Sequence, residues 1–107
     1  MRTRTLSLLL VAGAMAGTTA IGQQQAHSYT PPNGFIPDSL TAVRVAAALL
    51  APIYGQGRIN SEAPLVASLA NSVWTVQGSL RAGMAGGVAM IQLSKRDARV
   101  IRVTHGR

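Results

Sequence analysis

The side chains that most often carry acid–base, nucleophilic or metal chemistry are scarce in this sequence and lie far apart along it. They are two histidines, His27 and His105, and three carboxylates, Asp38, Glu62 and Asp97; cysteine is absent. Acid–base catalysis needs such groups held close together. The carboxylates instead stand at a helix start, in a connector and in a hairpin turn, where capping and turn formation explain them. We therefore expect no enzyme activity, no catalytic residue and neither a metal site nor a cofactor.

The two histidines have separate interpretations. A serine nucleophile would need one of them as its base, and a two-histidine metal site would form only if His27 folded back beside the C-terminus. His105 ends the last apolar run, in the sequence Val-Thr-His-Gly-Arg. We predict that it makes a hydrogen-bonded contact at the end of a sheet, with a contact to a partner as the second interpretation.

A glycine-bearing segment at residues 83–87, Gly-Met-Ala-Gly-Gly, superficially resembles a phosphate-binding loop. Such a loop continues into Lys-Ser or Lys-Thr and a helix. Here the glycines lead into an apolar, strand-like run, which favours a turn with positive backbone angles.

Positive charge is concentrated near the C-terminus of a chain whose formal net charge is +7. One interpretation is a solvated sheet edge on which Lys and Arg discourage edge-to-edge pairing. The other is a surface at one hairpin end that binds an acidic protein or an anionic envelope surface. Nucleic acid is disfavoured because the chain has few aromatic residues to stack on bases and because we predict, from the N-terminus described next, that the protein is exported. The predicted partner-binding residues are Lys95, Arg96, Arg99, Arg102, His105 and Arg107.

The N-terminus has the three-part pattern of a secretory signal peptide. Arg2 and Arg4 precede an apolar stretch from Leu6 to Ala16, and small and polar residues follow. This apolar stretch is well short of the roughly 20 residues that span a bilayer. We predict a signal peptide at residues 1–22 with cleavage before Gln23, cleavage after Ala20 and a retained membrane-surface anchor being the alternatives. The mature protein would be periplasmic or secreted, without stable membrane insertion.

Residues 23–36 read as an extended lead-in, because paired prolines and Asn33-Gly34 disfavour a helix. A domain at 37–107 follows, and it opens with the one helix that the pattern supports, entered at Pro37 and ending at Gly55. Residues at three- and four-residue steps predict the buried stripe of that helix. The stripe is Leu40, Val43, Ala47, Leu50 and Tyr54.

The pattern then changes to strands joined by short turns. Strands are predicted at 65–69, 73–80, 87–93 and 99–104, with a tight turn at Asn71-Ser72 and Trp74 in the core. One helix followed by a four-stranded antiparallel meander predicts an α+β fold with the helix covering one face of the sheet.

Six short motifs occur in order across residues 34–107. They are Gly-Phe-Ile-Pro-Asp at 34–38, Pro-Ile-Tyr-Gly at 52–55, Pro64, Trp-Thr-Val-Gln-Gly at 74–78, Gly-Gly-Val-Ala at 86–89 and Val-Thr-His-Gly-Arg at 103–107. In this order they resemble the bacterial NTF2-fold immunity proteins of polymorphic toxin systems.

The resemblance implies a reduced NTF2-like fold and an exported, non-enzymatic protein that binds and neutralises a cognate toxin. A weaker likeness, to PepSY-type envelope domains, implies an inhibitory or regulatory module with an envelope protein as its partner. In either case we expect the partner to have an acidic surface.

Overall fold

The computed structural model describes residues 28–106, of which those from Pro31 onward form a compact unit. The predicted signal peptide, His27 and Arg107 lie outside the described residues. Two helices are followed by four strands. They are α1 (Ser39–Tyr54), α2 (Gln56–Ser61), β1 (Val66–Ala70), β2 (Val73–Gln77), β3 (Ala89–Ser94) and β4 (Val100–His105). None of the described helices is long and apolar enough to cross a membrane.

The long helix α1 begins and ends where the local sequence predicts. The Asp38 side chain caps the first turn by accepting a hydrogen bond of 2.8 Å from the Thr41 amide. At the other end Gly55 adopts a φ of 95° and its N–H donates to the Ala51 carbonyl. The glycine allows the chain to leave the helix in a conformation that other residues rarely adopt.

The predicted buried stripe of α1 is partly wrong. The fully buried residues are Ala42, Ala46 and Leu50, whereas Leu40 is 57% exposed. Alanines at a four-residue spacing bring the helix backbone close to the sheet, and the larger side chains of Val43 and Tyr54 then pack along its flank. The face of α1 that is buried is therefore the one whose small residues let the helix backbone approach the sheet, and not the one with the largest apolar side chains.

The four strands form one antiparallel sheet in the order β1-β2-β3-β4. Helix α1 packs against the first three strands on one face, and the predicted α+β fold is confirmed. The core on that face comprises Ile36, Ala42, Ala46, Leu50, Ile59, Trp74, Val76, Ala89, Ile91 and Leu93. Asn71 and Ser72 both have positive φ and form the predicted two-residue turn between β1 and β2.

The polar segment after Gly55 is not the simple connector that the sequence predicts. Residues Gln56–Ser61 form the second helix, α2, and Ile59 inserts into the core with 3% exposure. A six-residue helix is too short to be stable alone, so burial of Ile59 and its contacts with α1 support it.

The end of the lead-in is fastened to the β3–β4 turn. The amides of Phe35 and Ile36 donate to the carbonyls of Arg96 and Lys95 at 3.0 and 3.1 Å. The Trp74 indole N–H donates to the Ile36 carbonyl at 2.8 Å. Trp74 is therefore a core residue, as predicted, and it also anchors the entry to α1.

Candidate functional site

A buried carboxylate, Glu62, organises the end of the sheet opposite the β3–β4 turn. It follows α2 directly and is 5% exposed, although the sequence led us to expect a connector residue engaged in capping or turn formation. Its Oε1 accepts the Ala89 amide at 2.7 Å. Its Oε2 lies 3.1 Å from both Arg58 Nε and His105 Nε2. A single side chain thus links α2 to the start of β3 and the end of β4.

The backbone beside Glu62 is shaped to admit it. A Cβ atom added at Gly78 would lie 2.8 Å from the Glu62 Cβ and closer still to its Oε1. Real Cβ atoms essentially never approach other atoms so closely. Glycine is therefore required at position 78, because the Glu62 side chain packs closely over the end of β2.

The hydrogen bonds to Glu62 keep it ionised. Burial by itself would raise its pKa, but donation by the Ala89 amide, His105 and Arg58 outweighs burial and holds the pKa of Glu62 below its usual value. With Arg58 and the Ala89 amide donating to it, this buried carboxylate is a compensated charge. Its environment is that of a structural anchor.

His105 makes the predicted hydrogen-bonded contact at the end of the sheet. Its Nδ1 lies 2.9 Å from the Gly106 carbonyl oxygen, and its ring is 5.0 Å from that of Tyr54 at the end of α1. The Nε2 atom has two possible partners. A protonated Nε2 donates to Glu62, whereas a bare Nε2 accepts from Arg58 Nη2 at 3.2 Å.

Sequence reasoning missed the pairing of His105 with Glu62 because 43 residues separate the two. The sequence did contain a signal for α2. Arg58 lies four residues before Glu62, a spacing at which opposite charges form an ion pair on one face of a helix. An i,i+4 pair in an otherwise polar segment could have indicated α2.

Beside Glu62 lies an open cleft of about 400 Å³ between α2 and the loop that joins β2 to β3. Glu62 forms part of its wall. The glycine-bearing segment of this loop is a turn with positive φ at Gly83 (80°) and Gly86 (119°), as predicted. The side chains that give the cleft its chemistry are Arg58, Arg81, Ser61, Ser79, Leu80 and Met84.

The predicted partner-binding residues are spread along the β3–β4 hairpin, and their role in binding stays a prediction. Lys95, Arg96 and Arg99 lie at the β3–β4 turn, whereas His105 ends β4 and is about 17 Å away for a strand of this length. Lys95 Nζ donates to the Asn33 carbonyl, and Arg99 pairs with Asp97 at 3.2 Å.

Of the remaining predicted residues, Arg96 and Arg102 are exposed. Arg102 lies within β4 opposite Gln92. Within residues 28–106 the structure brings together no group of three or more histidine, aspartate and glutamate side chains that could hold a metal ion. Arg58 and Arg81 both line the cleft, and guanidinium groups form strong hydrogen bonds with carboxylates and phosphates.

Comparison with known proteins gives two matches. The model of a family described as NTF2 fold immunity proteins matches residues 41–107, which include all of α1 except its first two residues, the whole of α2 and the whole sheet. An uncharacterized protein named YhhH from Escherichia coli (strain K12) is 29% identical over 80 residues. That similarity covers 74% of this chain and 62% of YhhH, so the chain spans under two thirds of this relative. No solved structure matches.

Proposed function

Because the chain belongs to the NTF2-fold immunity protein family, we propose that it is an exported protein that neutralises a cognate bacterial toxin by direct, non-enzymatic binding. The observation that carries the proposal is the family match over residues 41–107. Membership in this family suggests a toxin-neutralising binder, and the fold agrees with it. The proposal also includes export of the protein and an acidic surface on its partner.

Support for a non-enzymatic role comes from the state of the polar groups at the site. Both ring nitrogens of His105 lie against protein atoms, and Glu62 accepts hydrogen bonds from the Ala89 amide and Arg58. A general base must reach the proton it removes, and these two groups are occupied with holding the fold.

Support for an acidic partner surface comes from the charge balance. Residues 28–106 contain seven Lys and Arg residues against three carboxylates. Two of those carboxylates, Glu62 and Asp97, are in internal ion pairs, and the third, Asp38, caps α1. The surface is therefore strongly positive, and charge complementarity raises the association rate with an acidic partner.

Neutralisation is tested with a candidate toxin, sought first among the secreted proteins encoded beside this gene. Purified protein added in increasing amounts should abolish toxin activity at about an equimolar ratio, because each bound molecule blocks one toxin. Complete inactivation by a small fraction of an equivalent would indicate catalysis. Absence of a complex in calorimetry, together with unprotected cells, would refute the immunity function.

Export is tested separately. The mature protein should be recovered from the periplasm or the medium with a mass that corresponds to a start at Gln23 or Ile21. A variant lacking residues 2–22 should stay in the cytoplasm and fail to protect cells against toxin acting in the periplasm. Full-length protein found only in the cytoplasm would refute export and leave the binding function to its own test.

A further inference from the structure

We propose that the partner binds at the cleft between α2 and the β2–β3 loop, which takes an acidic side chain flanked by apolar residues of a partner protein. This inference rests on the proposed function, because it names the surface through which the protein binds. The sequence instead pointed to the basic residues around the β3–β4 turn. The two surfaces lie at opposite ends of β3 and are separable by experiment.

The first support is the way in which Arg58 is held. Its Nε pairs with Glu62 Oε2 at 3.1 Å and its Nη2 lies 3.2 Å from His105 Nε2, while the side chain remains 54% exposed at the cleft. An arginine held by one edge of its guanidinium loses less conformational freedom on binding a carboxylate with its other atoms. Arg58 is therefore pre-organised for an anion.

The second support is Arg81, on the facing side of the cleft. Among residues 28–106 no carboxylate pairs with it. Two guanidinium groups therefore line one cleft, and one of them has its charge uncompensated. Glu62 adds little repulsion toward an incoming carboxylate, because it is buried and its charge is offset by the Ala89 amide and the Arg58 guanidinium.

The third support is the apolar surface next to these charges. Leu80 and Met84 are 49% and 63% exposed, and both line the cleft. Methionine and arginine are enriched at protein interfaces, where apolar side chains exclude water around the charged contacts. This combination selects a carboxylate with apolar neighbours over a free inorganic anion.

The basic residues at the other end of the sheet offer less to a partner. Lys95 holds the lead-in and Arg99 is paired with Asp97, so a partner would have to compete with existing contacts. Arg96 is the exposed cation left at that turn, and it provides the matched comparison for Arg81.

The test is a nuclear magnetic resonance titration of the full chain with the peptide acetyl-Leu-Glu-Leu-amide. Amide shifts should concentrate at Arg58, at Arg81 and in the β2–β3 loop, and acetyl-Leu-Gln-Leu-amide should bind at least about fivefold more weakly, because it lacks the charge. Shifts centred on residues 95–99, equal binding of the two peptides, or no shift at millimolar peptide would overturn the inference.

Charge reversal then separates the two surfaces. Arg81→Glu should weaken peptide binding about tenfold or more, whereas Arg96→Glu should weaken it less than about twofold. An unchanged melting temperature in both variants excludes misfolding as the cause. A larger loss with Arg96→Glu than with Arg81→Glu would overturn the inference in favour of the β3–β4 turn.

The same variants keep this inference distinct from the proposed function. If the unmodified chain protects cells from the toxin and Arg81→Glu protects equally well, the cleft is not the binding surface while the immunity function stands. If the unmodified chain gives no protection but the acidic peptide binds at the cleft, the immunity function fails and the site remains. Protection lost in Arg81→Glu and kept in Arg96→Glu supports both.

Discussion

The two ends of the sheet are held together by different means. At the end that carries the β1–β2 and β3–β4 turns, main-chain groups make most of the connections, as between Phe35 and Arg96 and between Lys95 and Ser72. At the end that carries the cleft, the Glu62 side chain connects α2, β3 and β4. Main-chain hydrogen bonds also hold the second end, as between Gly78 and Ala89, but there the buried charge of Glu62 adds to them.

This difference explains how each end responds to substitution and why the cleft end suits recognition. A backbone-held turn tolerates most side-chain changes but not an added Cβ where two main chains touch. A charge-held end is sensitive to loss of that charge, yet its arginine reaches solvent in a defined position. Rigid support beneath an exposed cation is what a binding site requires.

The largest effect should come from Glu62→Ala at the cleft end. The substitution leaves the buried Ala89 amide without its acceptor and removes the partner of Arg58 and His105. We expect the free energy of unfolding to fall by about 3 kcal/mol, as measured by urea denaturation. The control Asp97→Ala, which breaks the exposed ion pair at the turn end, should cost much less, because exposed ion pairs contribute little to stability. Equal losses would mean that the two ends do not differ as described.

The next effect should come from Gly34→Ala at the turn end. Gly34 has a φ of 84°, and an added Cβ would collide with the Lys95 carbonyl. We expect a loss of about 2 to 3 kcal/mol in the free energy of unfolding, which combines a left-handed conformation with a main-chain clash. Gly83→Ala is a matched control, because Gly83 has a φ of 80° and open space around it. That control should cost only about 1 kcal/mol, and a loss as large as that of Gly34→Ala would show that packing against Lys95 is unimportant.

A smaller effect should appear on acidification. The pKa of Glu62 is lower in the folded protein than its unfolded value of 4.5. The folded state therefore binds this proton less readily, so Glu62 contributes stability above pH 4.5 that is lost as pH falls through the folded pKa. The stability difference between the unmodified protein and Glu62→Gln should shrink as pH is lowered below about 5.

Comparing these two proteins at each pH largely cancels the contributions of Asp38 and Asp97, whose pKa values are also lowered by hydrogen bonds. Chemical denaturation between pH 3 and 7 measures the difference, where these limits are chosen as about 1.5 units below and about 2.5 above the unfolded pKa. A difference that is constant across this range would show that the pKa of Glu62 is not depressed.

The smallest effect should be a gain in stability from Ser72→Gly in the β1–β2 turn. Asn71 and Ser72 have φ values of 51° and 62°, and glycine is favoured at the second position of such a turn. We expect about 0.5 kcal/mol of added stability in thermal unfolding. Ser68→Gly in β1 is the control and should destabilise by about 0.5 to 1 kcal/mol, because its backbone is extended. Destabilisation by both changes would mean that Ser72 has a role beyond the turn.

Features governed by residues near one another in the chain were predictable from the sequence. Asp38 and Gly55 mark the ends of α1, and Asn71-Ser72 marks a tight turn, because capping and turn formation use residues a few positions apart. Trp74 was predictable as core, since a large apolar residue in a strand beneath a helix is usually buried. The buried stripe of α1 was predicted only in part, with Leu50 correct and Ala42 and Ala46 missed, because helical spacing alone fits more than one face of the helix.

The candidate site was only partly predictable, for a physical reason that Glu62 and His105 illustrate. Each has an ordinary local role in the sequence, one in a polar segment and one at a strand end. Their hydrogen bond exists because β4 ends beside the start of β3. At this end of the sheet Glu62, the residue after α2, packs against Gly78. No local pattern encodes a contact across 43 residues.

The sequence by itself therefore determined the α+β class, the main helix, the turns and the excess of positive charge. These follow from periodicity, capping, turn residues and composition, all of which act within a few residues or are sums over the chain. Only the tertiary structure decided which basic side chains are already paired within the protein and which are exposed for contact with a partner. Lys95 and Arg99 form hydrogen bonds or ion pairs with groups at the turn end. Arg58 and Arg81, which are distant in the chain, line the same cleft. The physical reason is that charge is a property of a residue, whereas the availability of that charge depends on what the fold places beside it.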